Sequence, residues 1–177
     1  MKKSILSIAI FAITLLATTE TTAQKFKALD KSPMDVASFP SSYKVSDKVV
    51  KVVYSRPQLK GRAVFKLAPA GKVWRTGANE AAEITFYRDV TFGGKAVKAG
   101  TYSLFTIPSE TGDWTVIINS ARNVWGSYFY KQDQDVVRVS GTVSKSEKSI
   151  EAFSILIDSD MTLKMGWGNT VVSVPIK

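Results

Sequence analysis

Hydrophobic residues recur at every second position along most of this chain. In "KVVKVVYSR" (48–56), Val50, Val52 and Tyr54 fall on one side, and Val49, Lys51 and Val53 on the other. That is the period of a pleated strand. "EITFYRDVTF" (83–92) sets Ile84, Phe86 and Val90 against Thr85, Tyr87 and Asp89, and Gly93-Gly94 follows as a two-residue hairpin signal. "TYSLFTIP" (101–108), "WTVIIN" (114–119), "DVVRVSGTV" (135–143), "EAFSILI" (151–157), "MTLKMGW" (161–167) and "TVVSVPI" (170–176) continue the pattern, with turn formers between them. "AVFKL" (63–67) reads as a further short strand. The best helical candidate, "SARNVWGSYFYKQDQD" (120–135), pairs Val124 with Tyr128, but Gly126 and its aromatic residues argue against a long helix. The expected fold is all-β: an antiparallel β-sandwich of roughly nine short strands, or alternatively a closed β-barrel. Pro57, Pro108 and Pro175 favour the sandwich, because proline is tolerated at open sheet edges.

The two ends of the pattern differ from the middle. Residues 24–46 show no period of 2 or 3.6 and carry Pro33 and Pro40, so an irregular arm anchored by Met34, Val36 and Phe39 is expected before a single domain over 47–177. Residues 1–23 have the form of an export signal: Lys2 and Lys3, the apolar run "ILSIAIFAITLLA", and small residues before Gln24. A lipoprotein anchor would need a cysteine, and the chain has none. The expected location is therefore periplasmic or extracellular, with no stable membrane insertion after cleavage.

Composition removes whole classes of chemistry. With 0 Cys and 0 His there are no disulfides, no Cys/His nucleophilic centre and no imidazole or thiolate zinc site. The net charge is +9, or +8 without Lys2, Lys3 and Glu20. The lysines are scattered with no basic run interleaved with aromatics, so the charge reads as a solubilising surface and no nucleic-acid partner is expected. Asp133 with Asp135, and Asp158 with Asp160, supply too few oxygen ligands for calcium, and Ser41 with Lys44 lacks the companion motifs of an acyl-enzyme. No metal and no cofactor are expected.

Three stretches carry candidate chemistry. "KVWRTGANEAAE" (72–83) brings Trp74, Arg75, Asn79 and Glu80 together. Arg75 presents a planar donor fork for a carboxylate or phosphate, Trp74 a flat apolar face, and Asn79 and Glu80 polar groups to orient a ligand. Alternatively Trp74 plugs the core and Arg75 pairs with Glu80 or Glu83 to tie the loop down. "YSRPQLKGR" (54–62) places Tyr54, Arg56 and Arg62 at a strand end and in the loop beyond, where binding groups collect or arginines simply meet solvent. Trp125, Tyr128, Phe129 and Tyr130 form an aromatic cluster, too dense for every ring to face inward.

With "GGKAVKAGTYSLFTIP" and "WTVIIN", the stretches "YSRPQLKGR" and "GKVWRTGANEA" carry a resemblance. "DKSPMD", "WGSYFY", "DVVRV" and "VSVPI" extend it from about Lys31 to Lys177. In these motifs, and in their order, the chain resembles a domain of unknown function found in exported bacterial proteins. The resemblance implies one exported β domain and places Arg56, Arg62, Arg75 and Arg138 within motif positions. It implies no activity and no substrate.

Together these features point to an exported binding module for an anionic or carbohydrate-like small ligand. Its expected site comprises Tyr54, Arg56, Arg62, Trp74, Arg75, Asn79 and Glu80, capped by Trp125 and Tyr128. One alternative is a hydrolase or lyase acting on a glycan through carboxylate, tyrosine and arginine groups. Another is an envelope interaction domain that uses a sheet edge.

Overall fold

The structure is a computed structural model that describes residues 26–177; the expected export signal lies outside the described residues. Nine strands form: β1 (Met34–Phe39), β2 (Val50–Ser55), β3 (Ala82–Phe86), β4 (Val90–Phe92), β5 (Lys95–Val97), β6 (Gly100–Ile107), β7 (Trp114–Asn119), β8 (Asp135–Ile157) and β9 (Thr162–Pro175). β1-β2-β3-β6-β7-β8-β9 make one curled seven-stranded sheet, a half-barrel, and β4-β5 a small second sheet. Every pairing is antiparallel, as the alternation requires. Among the described residues no helix is long and apolar enough to cross a membrane.

The strands differ from expectation at five places. "EITFYRDVTF", read as one run, breaks after Phe86 into β3 and β4, which lie in different sheets. Residues 34–39, expected to be irregular, form β1, which pairs with β2 from Met34↔Ser55 to Phe39↔Val50. Met34 and Val36, expected to be anchors, are instead exposed, and the alternation Met34-Asp35-Val36 changes face at Ala37, so the strand carries little pattern to reveal it. "AVFKL" is not a strand but a single helical turn, α1 (Val64–Leu67), closed by Ala68 N–H on the Val64 carbonyl. A four-residue apolar run does not distinguish the two states by period. "DVVRVSGTV" and "EAFSILI" are halves of the 23-residue β8, and the last two apolar runs are halves of β9. Register shifts between Lys145, Ile150 and Ser154 give β8 the irregularity that lets so long a strand change direction.

The core lies inside the curl. Val50, Val52 and Tyr54 of β2, Ile84 and Phe86 of β3, Leu104 of β6, and Trp114, Val116 and Ile118 of β7 meet Phe153, Ile155 and Leu163 there. Trp74 stacks on Trp167 at 5.3 Å and meets the edge of Phe153 at 5.0 Å. The opposite face of the sheet is not bare. Ala81, Phe105 and Ile117 form a second small cluster there, covered by Val124 and Tyr130 from the loop between β7 and β8. That loop straps the outer face, and its course defines the candidate site.

Candidate functional site

Tyr54, Arg56 and Arg62 are engaged by the fold. The second half of β8 approaches the end of β2, where Leu59 N–H meets the Glu151 carbonyl and Phe153 N–H the Pro57 carbonyl. Beyond those bonds, side chains replace the ladder. Tyr54 Oη accepts Ile155 N–H at 2.8 Å and donates to the Ile155 carbonyl at 3.2 Å. Arg56 donates to the Phe153 carbonyl, Ser154 Oγ and Asp35 Oδ2 at 3.1, 2.7 and 3.0 Å. Both side chains therefore close a seam in the sheet. Burial holds the Tyr54 hydroxyl above the usual phenol range. Arg62 caps its own turn through the Leu59 and Gln58 carbonyls.

The signature loop is split between fold and surface. Trp74 is a core residue, and its backbone exchanges two hydrogen bonds with Thr106 of β6 at 2.7 and 3.0 Å. Thr76 is fully buried with a left-handed φ of 52°, an unusual conformation for a β-branched residue. Its hydroxyl lies 3.3 Å from Thr106 Oγ1. A Cβ at Gly77 would stand 3.0 Å from the Ser55 carbonyl oxygen, so the loop backbone packs directly on the end of β2. Asn79 adopts a left-handed φ of 61°, and its carbonyl accepts Gly126 N–H at 2.9 Å. Asn79 thus helps join two loops, and the structure gives that role to its backbone.

Those two loops bring the remaining candidates together. Glu80 and Trp125 form an antiparallel bridge, which sets their side chains on the same side. Ala81 N–H bonds the Val124 carbonyl, and Glu83 Oε1 accepts Asn123 N–H at 2.8 Å. A Cβ at Gly126 would lie 2.8 Å from the Tyr128 ring and 3.2 Å from Arg75 Nη1, so the tyrosine and the guanidinium both press on this glycine. Trp125 is 54% exposed and Tyr128 78% exposed. Phe129 is also exposed, whereas Tyr130 turns inward against Phe105 at 5.2 Å.

Arg75 does not tie the loop down through a carboxylate. Among the described residues the ion pairs are Arg56–Asp35, Lys98–Asp89, Arg138–Asp135 and Lys164–Asp158. Arg75, Glu80 and Glu83 take part in none. Arg75 Nε is buried without a hydrogen-bond partner, a costly state for a charged group. The paired aspartates in the turns are engaged elsewhere. Asp135 receives Asn119, Tyr130 and Arg138, and Asp158 receives Thr162 N–H and Lys164.

Beside the loops, on the outer face of β2 and β3, lies a cavity of about 200 Å³ lined by Met34, Val53, Tyr54, Ser55, Glu80, Ala81, Glu83 and Asn123. Sequence reasoning missed Ser55 and Asn123. Ser55 was in view, as the residue after Tyr54 and therefore on the opposite face. Asn123 reaches the cavity only through the strap. No curated protein and no solved structure matches the chain. One family does, over residues 32–176, and the chain belongs to it: DUF2911, a family of proteins of unknown function.

Proposed function

We propose that the protein is an exported binding module for a small carbohydrate-like ligand, held where the 75–83 loop meets the strap over 121–130. One observation carries this reading. The charged and aromatic groups gathered there (Arg75, Glu80, Glu83, Trp125, Tyr128) have no ion-pair partner among the described residues or stand exposed near a cavity. A sugar ring suits such a patch. Its apolar face stacks on Trp125, its hydroxyls donate to Glu80 and Glu83, and Arg75 supplies donors to a ring oxygen or acidic substituent. Arg56 and Arg62 are engaged by the fold, so the basic content available to a purely anionic ligand falls to Arg75. The carboxylates make the cavity itself unfavourable for an anion.

Titration of the purified protein with mono- and oligosaccharides, followed by tryptophan fluorescence and calorimetry, tests the proposal. Trp125→Ala and Glu80→Gln should each abolish the response without changing the melting temperature. A full response in both variants overturns it. A hydrolase or lyase reading draws on the same two carboxylates lining one cavity. It requires turnover of a glycan that Glu80→Gln abolishes while binding survives.

A further inference from the structure

The cavity carries more information than the surface patch. Its charged lining is wholly negative, Glu80 and Glu83, on a chain whose net charge is +9. Lysines are abundant in this sequence, yet neither carboxylate pairs with one among the described residues. Glu83 is fixed in orientation, because Oε1 accepts Asn123 N–H at 2.8 Å, and its second oxygen makes no hydrogen bond among the described residues.

Ser55 gives an independent indication. It is 4% exposed, and its hydroxyl makes no hydrogen bond among the described residues. Strand alternation points it away from the core: Tyr54 faces inward, so Val53 and Ser55 face the outer surface, with Val53 paired to Glu83 across β2 and β3. Ser55 and Met34 are direct partners across β1 and β2, and all four residues line the cavity. Ser55 Oγ is not among the fully buried atoms that lack a partner, so the little surface this residue keeps includes its hydroxyl, and the cavity it lines is where that hydroxyl can be reached. Here it faces a space that a ligand can fill.

We infer that the cavity takes the ammonium group of an amino sugar, whose ring lies against Trp125. This deepens, and rests on, the carbohydrate reading of the same site. An ammonium has three donors and no acceptor. Glu80, Glu83 and Ser55 supply three acceptors, and Met34, Val53 and Ala81 an apolar wall for the carbon that bears the nitrogen. Charge-assisted hydrogen bonds make such a contact stronger than the same contacts to a hydroxyl. The volume of about 200 Å³ admits one substituted sugar unit or less; whole-ligand pockets are commonly larger. Acetylation of the nitrogen would remove both its charge and two of its donors.

The test uses D-glucosamine, N-acetyl-D-glucosamine and D-glucose as probes of the purified protein at neutral pH, with binding read by calorimetry and by Trp125 fluorescence. D-glucosamine should bind at least about tenfold more tightly than either of the others. The double variant Glu80→Gln/Glu83→Gln should erase that preference, and Ser55→Ala should reduce it. Glutamine keeps an acceptor for Asn123 N–H, so the strap should hold, as an unchanged melting temperature would verify. Equal binding of D-glucose and D-glucosamine overturns the amine inference and leaves the carbohydrate reading standing. So does an amine preference that survives in the double variant. Failure of all three sugars, and of their short oligomers, to bind or to perturb Trp125 overturns both.

Discussion

Two regions of this molecule contain the same residue types and use them in opposite ways. At the seam between β2 and β8, a tyrosine and an arginine satisfy backbone groups that no neighbouring strand reaches: Tyr54 both N–H and carbonyl of Ile155, and Arg56 the Phe153 carbonyl. At the loop patch, Arg75 and Tyr128 press on Gly126, with no ion pair at Arg75 among the described residues and Tyr128 largely exposed. Residue type therefore says little about role. What separates the regions is whether open strand edges or open solvent lie within reach. An edge presents unpaired N–H and carbonyl groups that must find partners, and the seam arginine and tyrosine are those partners. The patch has no such demand, because the strap loops bond one another through backbone groups such as Gly126 N–H on Asn79.

The two tryptophans give the sharpest way to break this comparison. Trp74 is buried between Trp167 and Phe153, so Trp74→Ala should cost about 3–5 kcal/mol of stability in denaturant or thermal unfolding. Trp125→Ala should change stability by less than about 0.5 kcal/mol. Equal losses in the two variants would mean that the strap is part of the core and that the patch is not an available surface.

Tyr54→Phe comes next. Removing only the hydroxyl leaves the N–H and carbonyl of Ile155 without their partner inside the protein. Equilibrium unfolding should show a loss of about 1–3 kcal/mol. The same change at exposed Tyr128 should be neutral. A neutral Tyr54→Phe would indicate that water enters the seam and that the sheet is not held closed there by side chains.

How much of this was legible in the sequence follows from the range of each interaction. The alternation of Val50, Val52 and Tyr54 is local, and it placed β2 and its inward face correctly. The runs at β6 and β7 and the glycine pair between β4 and β5 are local too, whereas nothing local marks the break that splits "EITFYRDVTF" into β3 and β4. The role of Tyr54 was not legible, because its partner Ile155 is 101 residues away. β1 escaped notice because its side chains are half in water and its pairing with β2 carries the strand. β8 read as two strands because "SKSEK" consists of turn-forming and charged residues, while the structure runs the strand through it with register shifts. At the candidate site, Glu80, Arg75 and Trp125 were legible by type. Their meeting was not, since it depends on a strap that packs Val124 and Tyr130 on Phe105 and Ile117 across the outer face of the sheet.

Arg75→Met should have a smaller effect and the opposite sign. The substitution keeps an aliphatic side chain and removes a guanidinium whose Nη1 lies against Gly126 and whose Nε is buried without a partner. Stability should rise by up to about 1 kcal/mol, because replacing an uncompensated charge by an apolar group relieves its desolvation. Sugar binding should weaken in the same variant. A fall in stability instead would place Arg75 with Arg56 among the residues that hold the fold.

The smallest expected effect separates two neighbouring tyrosines. Tyr130 donates to Asp135 Oδ2 at 2.7 Å beneath the strap, and burial together with that carboxylate pushes its hydroxyl up to about 12 from an ordinary value of 10.0. The neutral phenol is the form favoured by the fold. Its contribution is therefore complete below pH 10 and is lost as pH rises through the window from about 10 to about 12. Absorbance titration should show Tyr130 ionising late. Tyr130→Phe should remove that late step and flatten the decline of the melting temperature across the same window. Tyr128→Phe should leave the melting temperature at neutral pH unchanged, because Tyr128 is largely exposed and donates to no carboxylate among the described residues. If Tyr130→Phe left the titration as it was, the inner side of the strap would be open to water. The contrast between a strap anchored from within by Tyr130 and a patch left open by Tyr128 and Trp125 would then fail at the point where the two faces of one loop meet.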